Sequence, residues 1–302
     1  DITTLPHVPG HELAGTIAAV GPAVRAFHVG DRVTVPFVCG CGSCRYCDTG
    51  DAQVCPDQWQ PGFSGPGSFA EYVAIPRADF NLVALPDAIS MDAAAAFGCR
   101  FATAYRAVAQ VGAVQSGETV VVLGCGGVGL SIIMVAVARG AHVIAVDTES
   151  GALSLAESFG AEGLVNANAQ ADVTTAIRDL LPAGADVTFD ALGSIDTCRA
   201  AVESLRPRGR HVQVGLLPPA EVGDRASVPM HLVIGRELSI LGSHGMSARG
   251  YPEMLALASE GRLDPQRLVT RTLRLDEAPA ALERMGLDPQ PGVSIIHPRV
   301  NP

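Results

Sequence analysis

The chain has 302 residues, of which 48% are hydrophobic and 17% charged, so it can build a large core and is not a disordered protein. Its formal net charge of -10 argues against a nucleic-acid partner, which would need a basic surface. No apolar run reaches the roughly 18 residues of a membrane span, and no secretory signal is apparent, so we expect no membrane partner and a cytoplasmic protein. All 21 basic residues are arginine, which suggests a high-GC bacterial gene and excludes a lysine-based mechanism.

The N-terminal part of the chain has the pattern of a β domain. Short alternating runs at residues 16–20, 32–36 and 69–75 are separated by turns rich in glycine and proline. The pattern then changes to an alanine-rich helix start, with Ser90 as its N-cap. We place this first domain at residues 1–98.

Five of the eight cysteines crowd into a lobe at residues 39–55. Cys41, Cys44, Cys47 and Cys55 are spaced C-x2-C-x2-C-x7-C, which lets a short loop wrap four thiolates around one cation. Four thiolates at about 2.3 Å complete the tetrahedral shell of Zn2+ and leave no open position, so the pattern favours a structural zinc. An iron–sulfur cluster also takes four thiolates, and disulfides are a third alternative, although such close spacings strain them.

From residue 119 onward, apolar strands alternate with helical stretches, which indicates a parallel sheet covered by helices on both faces. The predicted strands span residues 119–123, 142–146, 164–166, 187–190, 211–214 and 238–241. The predicted helices span residues 128–139, 152–159, 173–181 and 195–205. In the tail we predict helices at 251–259 and 276–285, and strands at 270–275 and 293–296. We therefore predict an α/β chain with a doubly wound domain at residues 99–242 and a return to the first domain at 243–302.

Gly124, Gly126 and Gly129 form a G-x-G-x-x-G pattern directly after an apolar strand and directly before a helix that we predict to be amphipathic. In a dinucleotide-binding loop the first glycine allows the tight turn, the second lets the backbone approach a pyrophosphate, and the third lets the helix pack on the strand. Gly127 and Val128 open the helix, whose free N–H groups attract phosphate. The alternative is an ordinary glycine-rich turn with a solvated aspartate nearby.

The next predicted strand leads to Asp147, where an acidic residue would accept hydrogen bonds from the adenosine ribose. Its carboxylate would repel the 2′-phosphate of NADP, and residues 148–150 include no arginine to bind that phosphate. The sequence therefore favours NAD over NADP.

Two further residues gain meaning only in combination. His11 stands in a Gly-His-Glu motif just before the first β run, and Cys99 follows the alanine-rich helix start. A single histidine is more often a core residue and a single cysteine a small hydrophobe, so neither is assigned as a metal ligand by spacing alone.

These motifs, taken together and in order, resemble the zinc-dependent medium-chain alcohol dehydrogenases over nearly the whole chain. The matching segments are GHELAGTIAAVG (10–21), VGDRV (29–33), CGSCRYC with Cys55, GSFAEY (67–72), GCRFATA (98–104) and GCGGVG (124–129), followed by Asp147. The resemblance implies a GroES-like β domain beside a Rossmann domain. It also implies hydride exchange between a nicotinamide and a small alcohol, aldehyde or ketone.

The resemblance assigns roles residue by residue. His11 and Cys99 would be ligands of a catalytic zinc, Glu12 would tune or transiently coordinate that zinc, and the four-cysteine set would hold the structural zinc. Thr103 would face the nicotinamide. Further cofactor contacts would come from Leu192, Gly193, Val214, Gly215 and Ser243.

One part of the family pattern is not in the sequence. In the family, the first catalytic-zinc ligand is a cysteine upstream of the Gly-His-Glu motif, followed closely by a Ser or Thr that relays the alcohol proton. Only ten residues precede His11 here, and none is cysteine. The sequence begins with Asp1 rather than Met. This favours the interpretation that the sequence omits the segment over the interpretation that the protein lacks it.

We therefore predict an NAD-dependent alcohol dehydrogenase with one structural and one catalytic zinc, acting reversibly as a homodimer or homotetramer. The alternatives are a catalytically silent, truncated NAD- and zinc-binding paralogue, or a zinc-free quinone reductase of the same superfamily. The cysteine quartet and Asp147 argue against the reductase.

Overall fold

The computed structural model describes residues 5–217, 228–285, 287 and 290–298. The chain divides into two compact units, one formed by Asp1–Ala102 with Gly245–Pro302 and the other by Thr103–His244. The predicted boundaries lay after residues 98 and 242. In the structure the first boundary lies after Ala102, because the chain continues through helical turns past residue 98. The second boundary lies after His244, because the backbone N–H of Ser243 still donates to the Gln213 carbonyl. Among the described residues, no helix has the length and apolar character to cross a membrane.

The first unit contains a small antiparallel sheet and a separate parallel pair. The sheet has the order β1 (Ala14–Thr16), β2 (Arg32–Thr34) and β3 (Val83–Ala84). Gly15 lies opposite Val33, and Val33 lies opposite Ala84. The parallel pair consists of β10 (Val269–Arg274) and β11 (Val293–His297).

The strand predicted at residues 69–75 is wrong. Gly67 and Phe69 instead donate backbone hydrogen bonds of 2.7 and 3.0 Å to the carbonyls of Val8 and Pro9. The partner segment is irregular, and Pro9 has no N–H to continue a ladder, so no regular strand forms.

The helices of the first unit are short: Arg45–Thr49, Ala78–Asn81, Met91–Ala95, Tyr251–Ser259 and Ala278–Arg284. The predicted cap is confirmed, since the Ser90 hydroxyl accepts the Ala93 N–H at 3.1 Å. Phe97–Phe101 then forms a π-helical turn, which carries Cys99. Turns of this kind are frequent at functional sites.

The second unit is a six-stranded parallel sheet. Its strands are β4 (Thr119–Leu123), β5 (His142–Asp147), β6 (Gly163–Asn166), β7 (Ala185–Asp190), β8 (Leu205–Gln213) and β9 (Ser239–Gly242). Their spatial order is β6-β5-β4-β7-β8-β9, so the direction of winding reverses between β4 and β7. In such doubly wound sheets, ligands bind outside the carboxyl ends of the strands at this reversal.

Helices cover this sheet. They span Gly127–Ala138, Ser150–Ser158, Val173–Leu180, Ile195–Glu203 and Met230–Gly235, with Ala102–Arg106 and the π-helical turn Ala107–Val111 preceding the first strand. The helix predicted to reach residue 205 ends at Glu203, because Leu205 already begins β8.

The helix Gly127–Ala138 is not amphipathic, which corrects the prediction. Leu130, Ile132, Ile133 and Val135 are all almost completely buried. The helix packs on β4 and β5 and also contacts the Ala107–Val111 turn and the helix Ser150–Ser158, so protein covers more than one of its faces.

Candidate metal and cofactor sites

The four predicted zinc cysteines come together in the structure. The sulfurs of Cys41 and Cys47 lie 3.9 Å apart, those of Cys44 and Cys47 3.6 Å, and those of Cys44 and Cys55 3.7 Å. Tetrahedral zinc–sulfur bonds of about 2.3 Å place sulfurs about 3.8 Å apart. All four are free thiols, so the disulfide alternative is wrong. A cluster of several irons would bind different sulfurs to different irons and separate them more widely, so the geometry fits one tetrahedral ion.

The local backbone is shaped around these sulfurs. Cys41 N–H points to the Cys55 sulfur at 3.4 Å, and Gly42 N–H points to the Cys47 sulfur at 3.3 Å. Burial raises the pKa of Cys55 to about 12, whereas a hydrogen bond from the Ser43 backbone lowers the pKa of Cys41 to about 6. The Cys55 thiol therefore becomes a thiolate ligand at neutral pH only when a cation compensates its charge.

The second predicted metal site begins at His11. Its imidazole centre lies 5.7 Å from that of the Phe37 ring and 5.2 Å from that of Phe63. Burial lowers the pKa of His11, so the ring is neutral at pH 7 and a nitrogen lone pair is available to a metal.

Close backbone packing fixes the segment that carries His11. A Cβ on Gly67 would overlap the Gly10 carbonyl oxygen, and a Cβ on Gly62 would lie 2.6 Å from the Gly10 nitrogen. Ser68 N–H also donates to the Gly10 carbonyl at 2.9 Å. The GSFAEY segment therefore serves as the packing partner of the Gly-His-Glu segment.

Gly98 brings the Cys99 turn against the same segment. A Cβ on Gly98 would lie 3.2 Å from the Glu12 Cα and 3.0 Å from the Val35 carbonyl oxygen. The Gly98 carbonyl also accepts the Phe37 N–H at 2.9 Å. His11 and Cys99, which are distant in sequence, thus lie on two directly packed segments.

Glu12 has another partner. Its Oε1 accepts the backbone N–H of Arg100 at 2.9 Å, and its Oε2 pairs with the Arg100 guanidinium. The four cysteines are the one group of three or more potential metal ligands found in the described part of the chain. The structure therefore shows the Glu12 carboxylate engaged by Arg100 and outside any cluster of ligands.

Tyr251 contacts the turn that carries Cys99, and sequence reasoning missed it. It is completely buried, and its hydroxyl reaches the carbonyl oxygens of Phe97 and Gly98 at 3.3 and 3.4 Å. Burial, with added repulsion from Cys99 and Glu12, raises the pKa of Tyr251, so it remains a hydrogen-bond donor. No sequence motif marks this residue.

In the second unit, the glycine loop has the geometry that a pyrophosphate requires. Gly124 has φ of +89°, and a Cβ on Gly129 would overlap the Gly124 carbonyl oxygen, so the helix start packs directly on the turn. Gly126 is the N-cap and provides no side-chain hydrogen bond to the first-turn N–H groups. A Cβ on Gly126 would meet nothing within 4 Å, which leaves open space above these donors.

Asp147 lies directly beside this loop. Its Oδ2 accepts the Cys125 N–H at 2.6 Å, and its Oδ1 accepts the Glu149 N–H at 2.9 Å. The Cys125 thiol is buried, and burial raises its pKa to about 12, so it is not a reactive thiolate.

The other predicted cofactor contacts lie at the same edge of the sheet. A Cβ on Gly124 would lie 3.1 Å from the Leu192 nitrogen, and Gly193 and Gly215 pack backbone to backbone. Val214 N–H bonds to the Asp190 carbonyl at 3.0 Å. The turns that follow β4, β7 and β8 therefore lie close together at this edge.

Two predicted cofactor residues carry unsatisfied polar atoms. The hydroxyls of Thr103 and Ser243 are buried and have no hydrogen-bond partner among the residues that the structure describes. A buried hydroxyl without a partner is costly. Both are therefore suited to hydrogen bonds with a bound polar ligand, and they support the fit of this unit to a nicotinamide cofactor.

Comparison with known proteins agrees with this geometry. Residues 1–87 match the alcohol dehydrogenase GroES-like domain, and residues 127–260 match the zinc-binding dehydrogenase family. An alcohol dehydrogenase from Geobacillus stearothermophilus is 35% identical over 260 residues, which cover 86% of this chain and 74% of that protein. The chain belongs to the zinc-dependent medium-chain alcohol dehydrogenase family. The family and the predicted fold class are thus confirmed.

Two other members of this alcohol dehydrogenase family show how far the similarity extends. An NAD-dependent alcohol dehydrogenase from Sulfurisphaera tokodaii is 32% identical over 284 residues, covering 93% of this chain and 79% of that one. The solved structure of an alcohol dehydrogenase from Thermus sp. ATN1 superposes with a TM-score of 0.86 at 31% identity, covering 97% of this chain and 85% of that one.

Proposed function

We propose that the protein is an NAD- and zinc-dependent alcohol dehydrogenase that reversibly interconverts a small alcohol and its aldehyde or ketone. The observation that carries this proposal is the direct packing of the Cys99 turn, through Gly98, on the segment that holds His11 and Glu12. The names of the relatives support the reaction type.

We infer two zinc sites. Cys41, Cys44, Cys47 and Cys55 would hold a structural zinc, because they fill all four positions of a tetrahedron. His11 and Cys99 would hold the catalytic zinc, and the family resemblance implies a further cysteine ligand. When bound, zinc supplies Lewis acidity to the substrate oxygen, and NAD supplies the hydride acceptor.

The residues around His11 prepare the site for this chemistry. His11 is neutral, so it binds a metal without first losing a proton. The rings of Phe37 and Phe63 supply apolar surface beside the imidazole, which would favour apolar substituents on the substrate. Arg100 balances the charge of Glu12 and holds its carboxylate.

The second unit would bind the dinucleotide. The helix start at Gly127 and Val128 would hold the pyrophosphate, and Asp147 would accept the ribose hydroxyls. Thr103 and Ser243 would donate or accept hydrogen bonds at the nicotinamide end. Because Asp147 is anionic and residues 148–150 lack arginine, the cofactor would be NAD rather than NADP.

We also propose a cytoplasmic homodimer or homotetramer formed through the edge of the parallel sheet. β9 is one of the two edge strands, and Ile240 on it is 37% exposed. Met230 and Ile234, on the preceding helix, are 57% and 76% exposed. Ile240→Lys would lower the molar mass measured by light scattering if this edge is the interface.

The test compares two cysteines of the first unit in the full-length protein. Cys99→Ala should lose one zinc per chain and lower kcat/KM by about a thousandfold. The activity is followed through NADH absorbance, with a panel of alcohols in one direction and with carbonyl compounds in the other. Cys39 is also a free cysteine of this unit but lies outside both proposed sites, so Cys39→Ala should keep both zincs and the activity. Undiminished turnover in Cys99→Ala would contradict the proposed function.

A further inference from the structure

A chain of hydrogen bonds connects the interior of the second unit to the carboxyl edge of its sheet. The Gln213 amide nitrogen lies 2.9 Å from Asp190 Oδ2 and 2.8 Å from the Gly215 carbonyl oxygen. Both partners are acceptors, which fixes the orientation of the amide, so its Oε1 accepts from His211 Nε2 at 3.0 Å. His211 Nδ1 then accepts the Thr188 hydroxyl at 3.0 Å.

The direction of the bond between Thr188 and His211 follows from a neutral imidazole with its proton on Nε2. His211 is completely buried, and burial lowers its pKa, so the ring is neutral at pH 7. Each donor and acceptor between Thr188 and Asp190 is therefore satisfied in one arrangement only.

Asp190 is where the chain of bonds ends. It is completely buried, and its Oδ1 accepts the N–H groups of Leu192 and Gly193 at 3.0 and 2.9 Å. Its Oδ2 accepts the Thr197 hydroxyl at 3.0 Å, in addition to the amide of Gln213. Hydrogen bonds to a buried carboxylate are among the strong ones, so this residue fixes the turn that follows β7.

The turn that follows β8 is attached to the same residue. The Asp190 carbonyl accepts the N–H groups of Val214 and Gly215 at 3.0 and 2.8 Å. A Cβ on Gly215 would overlap the Gly193 nitrogen, so the two turns touch without intervening side chains. A displacement of either turn must therefore displace the other.

We propose that Asp190, Gln213 and His211 are positioning residues for the dinucleotide, which they serve without touching it. They hold the turns at Leu192–Gly193 and Val214–Gly215 in the binding arrangement before the cofactor arrives, which reduces the ordering cost of binding. This inference rests on the proposed function, because that function makes these turns cofactor contacts.

Gln213→Glu tests the proposal with a change of one atom. The new oxygen would face two acceptors, Asp190 Oδ2 and the Gly215 carbonyl, and repel both. We expect the Kd for NADH, measured by fluorescence titration, to rise by about tenfold or more. Amide hydrogen exchange at Leu192 and Gly193, measured without dinucleotide, should become faster.

Ser204→Ala is the matched control. Ser204 is completely buried, and its hydroxyl donates to the Ala200 carbonyl at 2.7 Å in the same unit, away from these turns. It should lower the melting temperature but leave the Kd for NADH and the exchange rates at Leu192 and Gly193 unchanged. If Gln213→Glu does not fold, Thr197→Val removes another donor to Asp190 and should raise the Kd about threefold.

The outcomes separate the two proposals. Unchanged exchange at the turns in a folded Gln213→Glu, or an unchanged Kd for NADH, overturns the positioning role. Failure of the wild-type protein to bind NADH contradicts the proposed function instead, and the exchange comparison still decides whether the network holds the turns.

Discussion

The four-cysteine lobe and the His11–Cys99 region, where we propose the two zinc sites, bring their residues together in different ways. The lobe takes all its ligands from one short stretch, Cys41 to Cys55, and its sulfurs already lie at tetrahedral spacing. His11 and Cys99 come from distant segments that meet only through close glycine contacts. The first site is specified by local spacing, whereas the second depends on the packing of the whole unit.

We expect substitutions in these two regions to damage the protein in different ways. Loss of one ligand from the lobe should remove a zinc together with the fold of the loop, because a structural zinc contributes directly to folding. Loss of one glycine contact near His11 should displace a ligand while the rest of the unit remains folded. Substitutions in the four-cysteine lobe should therefore lower mainly the stability of the protein, and substitutions near His11 mainly its activity.

The largest effect on stability is expected from Cys44→Ser. It removes one of four zinc ligands and should lower the free energy of unfolding by more than about 4 kcal/mol, because this loss is among the most disruptive single changes. Thermal unfolding and zinc content measure both consequences. Cys39→Ala serves as the control, and an equal loss of zinc in that variant would argue against the assignment of the quartet.

Gly67→Ala tests the dependence of the second site on packing. The added methyl would overlap the Gly10 carbonyl oxygen and lie 2.5 Å from that of Pro9, so the His11 segment must move. A displacement of this kind can cost about a hundredfold in kcat/KM. Gly15→Ala is the matched control, because a Cβ there meets nothing within 4 Å. Equal activity of the two variants would show that this packing does not position the site.

Asp147→Asn extends the comparison to the second unit. The substitution removes the negative charge but leaves an oxygen that can still accept the Cys125 N–H. We expect the ratio of kcat/KM for NAD to that for NADP to fall by about tenfold, because repulsion of the 2′-phosphate is lost. A wild-type preference for NADP would refute the role given to Asp147.

The smallest effect is a dependence of stability on pH through His211. Burial lowers its pKa below 6.5, the value expected in the unfolded chain. In the window from pH 6.5 down to the lowered folded pKa, the unfolded state binds a proton that the folded state does not. The free energy of unfolding should therefore fall as the pH falls, by up to about 1.4 kcal/mol per pH unit.

Denaturant titrations of the wild type and His211→Gln between pH 7 and pH 5 measure this contribution. The hydrogen bond to Gln213 and the charge of Asp190, which both favour the charged imidazole, limit its size. The same pH slope in both proteins would show that His211 is not responsible.

Features that depend on residues close together in the sequence were mostly predicted correctly. The spacing of the cysteines predicted the quartet, and the strand–glycine–helix pattern predicted the loop at Gly124. The partners of Glu12 and Asp190 were not predictable, because Arg100 and Gln213 reach them only after the chain has folded. The helix Gly127–Ala138 was predicted to be amphipathic, but several elements of the unit pack around it.

The most direct test is the anomalous scattering of zinc in crystals of the full-length protein. We expect two peaks per chain, one among Cys41, Cys44, Cys47 and Cys55 and a second bonded to both His11 and Cys99. A peak at the four cysteines with none at His11 and Cys99 would contradict the proposed catalytic site.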